Sequence, residues 1–151
     1  MADINIDDFY RDSALTLLRL YSSFPRPATV FVEDISGLEE TDEFGMHSKR
    51  HLACFATLIW LGDEGYLRFE GPIKQEAIDQ AVLTARALLL LNRQPLHLEP
   101  IDVTAQPESL RSERQTNLHR LREALKSKSS SRIRRAMLDL MSQMPGSASA
   151  D

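Results

Sequence analysis

Residues 46–51 of this 151-residue chain read Met-His-Ser-Lys-Arg-His, a dense run of side chains able to ligate, donate or carry charge. His47 and His51 stand four apart, a spacing that puts two imidazoles on one face of a helix, where zinc can be held if a third ligand approaches. Glu43 and Cys54 are the candidates for that third position. The plainer reading is a pair of exposed polar residues at a helix start, so no metal and no cofactor is expected. Cys54, the only cysteine, has no histidine and acid arranged around it and reads as a small half-buried residue rather than a nucleophile. Asp63 and Glu64 fall between Gly62 and Gly65, in a solvated turn that offers no apolar pocket to split their pKa values. Nucleotide-binding glycine motifs, the paired-histidine zinc motif of metalloproteases and the nucleophile elbow are all missing. No catalytic residue is therefore assigned, and a non-enzymatic role is expected.

The elements that must position these residues follow from periodicity. Tyr10, Ala14, Leu17, Leu18 and Tyr21 form one stripe of an amphipathic helix over 6–23, which Pro25 and Pro27 end. Residues 28–32, Ala-Thr-Val-Phe-Val, predict a short strand. The stretch 33–45 holds Glu33, Asp34, Glu39, Glu40, Asp42 and Glu43 with no Lys or Arg, and its glycines allow only a short helix. A longer helix over 46–61 is expected to bury Leu52, Phe55, Ala56 and Ile59, leaving His47, Arg50, Cys54 and Thr57 on the opposite, polar face. Residues 66–70 and 78–83 predict two strands of a hairpin with a polar turn at 71–76, and Thr84 is placed to cap a helix through leucines 88–91.

Charge divides the chain. Residues 1–99 carry 9 Lys/Arg against 16 Asp/Glu, a balance of −7, whereas residues 100–151 carry 9 against 6, a balance of +3. An acidic body with a basic arm is expected, and such an arm suits phosphate, a membrane surface or an acidic partner. Pro95, Pro100 and Pro107 mark a linker over 96–105. Helices over 106–126 and 132–144 follow, separated by serines, and 145–151 reads as a disordered tail. Leu118, Leu121 and Leu125, with Met137, Leu140 and Met141, form apolar seams that predict a homodimer through residues 106–144. With 42% hydrophobic and 26% charged residues the chain can bury a core, and its longest apolar run is too short to cross a bilayer. An acidic start without an apolar stretch predicts no secretory signal, and one cysteine permits no internal disulfide, so a reducing, cytoplasmic setting without membrane insertion is expected.

The segments Thr57–Phe69 (TLIWLGDEGYLRF) and Gln80–Leu91 (QAVLTARALLLL) carry a resemblance to the bacterial winged helix-turn-helix superfamily, MarR-like in broad architecture. It implies an α+β winged-helix domain over 1–95 with a C-terminal helical extension. The helix beginning at Met46 would then be a recognition helix, and the resemblance implies double-stranded DNA contacts by His47, Lys49, Arg50 and His51, with Arg68 and Lys74 on the wing. A transcriptional regulator is the first expectation. The alternative is the same scaffold used as a protein-interaction adaptor through its acidic face and helical arm, because six carboxylates beside a phosphate backbone repel it.

Overall fold

The computed structural model describes residues 4–39, 41, 43–96 and 116–144. These form six helices and a four-stranded antiparallel sheet, a mixed α+β arrangement. Helix α1 (Ile4–Ser23) leads into strand β1 (Ala28–Phe31), and the one-and-a-half-turn helix α2 (Val32–Ser36) starts where the strand ends. Helix α3 (Lys49–Asp63) follows, its first turn capped by the Ser48 hydroxyl accepting from the His51 amide at 3.1 Å. His47 thus precedes the helix rather than lying within it.

The hairpin is more finely divided than its alternation predicts. Strands β2 (Leu67–Arg68) and β3 (Gly71–Ile73) both pair with β4 (Ala77–Leu83), and β1 pairs with β4 from the other side. Gly71 and Pro72, expected in a turn, are strand residues; β3 is an edge strand, where a proline without an N–H costs no ladder bond. The turn itself lies at 74–76, with Lys74 at φ 50°. Its backbone is tethered, since the Val32 amide donates to the Glu76 carbonyl at 2.9 Å. Thr84 caps α4 (Ala85–Asn92) as its position predicts, accepting from the Ala87 amide at 3.2 Å and donating to the Gly65 carbonyl at 2.7 Å.

Helix α5 (Asn117–Ser127) and helix α6 (Ser130–Ser142) are capped by Thr116 and Ser129 and separated by Lys128 in the left-handed region at φ 58°. Ser130 and Ser131 therefore begin a helix rather than interrupt one. The expected boundaries in 97–115 and the tail at 145–151 lie outside the described residues.

One hydrophobic cluster joins all of this. Leu17 and Leu20 of α1, Leu58 and Leu61 of α3, Ile78 and Leu83 of β4, and Leu118, Leu121, Met137 and Leu140 of α5–α6 belong to it, with Leu125 and Met141 packed at its edge. The seams that predicted a dimer are thus occupied within the protomer, because α1 presents a second apolar face that α5 and α6 cover. Polar links fix this docking. The Asn117 amide donates to the Arg93 carbonyl at 2.8 Å, its side chain donates to the Leu90 carbonyl at 2.7 Å, and Asp139 accepts from the Leu96 amide at 3.2 Å and from Arg120. No helix among the described residues is long and apolar enough to cross a membrane.

Candidate functional site at the start of α3

The four residues expected to read DNA from α3 have separate fates. Arg50 turns toward α1, where both terminal nitrogens donate to the fully buried Asp12 carboxylate at 2.6 Å and Nε lies 3.5 Å from Asp8. Such a two-pronged pair satisfies both oxygens of the anion and raises the arginine's pKa, chiefly through the Asp12 hydrogen bonds. Asp8 and Asp12 are one turn apart on α1, a like-charge spacing that weakens a helix unless a cation meets it. That spacing is the signal by which sequence reasoning could have found the pair. Lys49, Arg68 and Lys74 remain exposed, the first at the start of α3 and the others on the hairpin.

With Arg50 drawn inward, the whole helix is rotated relative to its apolar pattern. His51, Cys54, Thr57, Leu58 and Leu61 are buried, while Lys49, Leu52, Ala53, Ala56 and Trp60 face outward. The expected polar face is thus the packed one, and two members of the expected core stripe, Leu52 and Ala56, are exposed; Phe55 and Ile59 sit at the boundary. Trp60 keeps about a third of its surface and packs edge-on against Phe9 at 5.1 Å. Burial, reinforced by the Asp12 charge, pushes the Cys54 thiol up to about 12. Asp63 and Glu64 are exposed, but Asp63 is the last residue of α3 rather than part of a turn, since the helix runs on through Gly62; Glu64 caps it.

His47 and His51 come together, and the third residue beside them is Glu39. Their rings stack at 3.9 Å, with Glu39 Oε1 on His47 Nδ1 and 3.3 Å from His51 Nδ1. The other carboxylate oxygen is held by the Ser48 amide at 2.8 Å and the Ser48 hydroxyl at 2.6 Å. Burial opposes the charge on Glu39, but the hydrogen bonds from Ser48 and His47 outweigh it and hold the carboxyl at about 2, against an ordinary 4.5. His51 is anchored from its far side, Nε2 donating to the Gln75 carbonyl at 2.7 Å, so the hairpin turn is pinned to the start of α3. Glu43 and Cys54 are not part of this group. Glu39 carried no local signal: it was one acid among six, and only the fold of the connector brings it back eight residues onto His47.

The start of α3 therefore joins an Arg50 pair with the buried Asp12, a Glu39–His47–His51 cluster and an outward apolar face on three sides of one helix. Comparison of the chain with protein-family models, with curated proteins and with solved structures found no match.

Proposed function

We propose that the chain is a non-enzymatic winged-helix scaffold whose α3 docks a partner protein instead of reading base edges. The winged-helix reading is supported by the order α1, β1, α2, α3, hairpin, with β1 and β2 both paired to β4. The observation that carries the docking role is the rotation of α3. Groove recognition needs donors such as arginine aimed outward from the first turns. Here Arg50 and His51 are spent on Asp12 and the Gln75 carbonyl, and Leu52, Ala53, Ala56 and Trp60 take the outward positions. An apolar stripe with one lysine gives a DNA groove little to bond with, but it suits the face of a second protein.

Charge selects the partner. The segment that leads into α3 carries six carboxylates between residues 33 and 45 and no basic residue, so the complementary surface is a basic, amphipathic protein segment. Trp60 is the sole tryptophan and lies on the face in question, which makes its fluorescence a direct reporter. Titration with a synthetic amphipathic helix of leucine and arginine is expected to blue-shift Trp60 emission saturably, with weaker binding at high salt and in Leu52→Glu. Duplex DNA should leave the emission unchanged. Saturable, salt-dependent DNA binding that disappears in Lys49→Ala, together with no response to the basic helix, would restore the regulator reading.

A further inference from the structure

Glu39, His47 and His51 bring one oxygen and two nitrogens within 4.8 Å of one another. We propose that these three side chains form a site for a divalent first-row transition cation of the zinc class, a property independent of the docking role above. Two imidazoles and a carboxylate are a ligand set suited to such ions, and three protein ligands leave one position for water.

The orientation of His51 points to a cation. Its side chain is 2% exposed, and Nε2 donates to the Gln75 carbonyl, which leaves Nδ1 as the atom aimed at the cluster. A backbone carbonyl holding the far ring nitrogen is the usual way a ligating histidine is fixed in tautomer and direction. Nδ1 has no hydrogen-bond partner, although it is buried and 3.3 Å from Glu39 Oε1. In the neutral ring with the proton on Nε2, two lone pairs therefore face each other in a confined space, an arrangement that costs free energy until something positive lies between them. Glu39 is prepared in the same sense: Ser48 occupies Oε2 with two hydrogen bonds, and Oε1 turns to both imidazoles. The acidic connector adds attraction, while the positive end of α3 opposes it only over the first turn.

Binding requires a small rearrangement, and the fold locates it. Metal–nitrogen bonds lie in the ring plane, so two rings stacked at an interplanar angle of 1° cannot share an ion until one swings away. Tetrahedral zinc also sets its ligands roughly 3.4 Å apart, so Glu39 Oε1, already 3.3 Å from His51 Nδ1, keeps that spacing while its direct contact with His47 Nδ1 must open. His51 is built into the helix and anchored at Nε2, whereas His47 precedes the cap with about a fifth of its side chain exposed. His47 is therefore the ring that moves, and the ion would fasten the connector to the first turn of α3.

The test is titration of the metal-free full chain with Zn²⁺ by calorimetry, with the histidine ring nitrogens followed by NMR. The expected result is one ion per chain, with both Nδ1 resonances displaced and the His51 Nε2 resonance keeping its protonated position. Glu39→Gln and His47→Ala, checked for native circular dichroism, should each weaken binding by about a hundredfold, since even outer-shell partners cost tenfold or more. His119→Ala, at a histidine outside the cluster, should bind as the parent does. His51→Ala is avoided because its burial makes loss of fold a competing explanation. A folded parent that binds no ion one-to-one, or a Glu39→Gln/His47→Ala double variant that binds as tightly as the parent, overturns the site and leaves a proton as the bridge between these groups.

Discussion

Helix α3 and the pair α5–α6 are both amphipathic and both pack on α1, yet the faces they bury differ in polarity. In α5 and α6 the apolar seam, Leu118, Leu121, Met137 and Leu140, is inside. In α3 the packed side is mixed: Arg50 on Asp12 and His51 against the hairpin turn share it with Cys54, Leu58 and Leu61, while Leu52 and Ala56 face outward. The opposing surface makes the difference. Toward α5 and α6, α1 contributes Leu15 beside Leu125 and Ile133, with Asp8 and Arg11 at the rim; toward α3 it offers the buried Asp12 carboxylate, with Asp8 one turn away. A guanidinium that satisfies a buried anion with two hydrogen bonds outweighs the gain from burying one leucine that can stay half exposed. Helical periodicity therefore identifies the core side only where no charge on the neighbouring element has a stronger claim.

Four measurements test the orientation of α3 and the docking of α5 and α6. The largest effect concerns Cys54, which the rotation places inside. With its thiol at about 12, roughly one molecule in 10⁴ carries a thiolate at pH 8, so alkylation in the native protein should run about a thousandfold slower than in denaturant. Rapid native alkylation would return Cys54 to an outward face. Next, Leu121→Ala removes a fully buried side chain and should cost about 3 kcal/mol in urea unfolding. The transition midpoint should not depend on protein concentration, since the seam is filled within one chain; a dimer seam would make it do so.

Arg50→Ala should cost about 2–3 kcal/mol by leaving the buried Asp12 anion with the more distant Arg11, 3.7 Å away, as its cation. Arg50→Lys should recover less than half of that, because an ammonium cannot make the paired contact. The smallest effect is Leu52→Ala, expected below about 0.5 kcal/mol. A loss of 2 kcal/mol or more there, with little change in Arg50→Ala, would reinstate the orientation that the apolar pattern suggests.

Much of the fold was legible because its determinants are local. Thr84 announces its cap, Pro25 and Pro27 stop α1, and the leucine spacing in residues 118–125 marks a packed face. The division of the hairpin was not legible, since whether Gly71 and Pro72 turn or pair depends on β4 being there to pair with. The candidate site was half legible. His47 and His51 stood out by spacing, but Glu39 is indistinguishable in sequence from five neighbouring acids until the connector folds back. Arg50 was noticed for its charge and misplaced, because its partner lies 38 residues earlier on a helix read for its apolar stripe alone.

Helix α1 is covered by chain from both sides of the segment 97–115: α3 and the sheet come before it, and α5 and α6 after it. The backbone link between residues 96 and 116 is thus not what holds the two parts together; the shared cluster and the Asn117 and Asp139 hydrogen bonds are. A chain cut at a protease site introduced there should elute as one non-covalent particle, and two separately expressed fragments should reassemble when mixed. The first 96 residues alone would carry the bare side of α1 as a sticky surface and self-associate. For anyone dividing this protein to search for partners, the natural piece is the whole of residues 4–144, since a bait ending at residue 96 would capture companions through a face that its own last two helices normally cover.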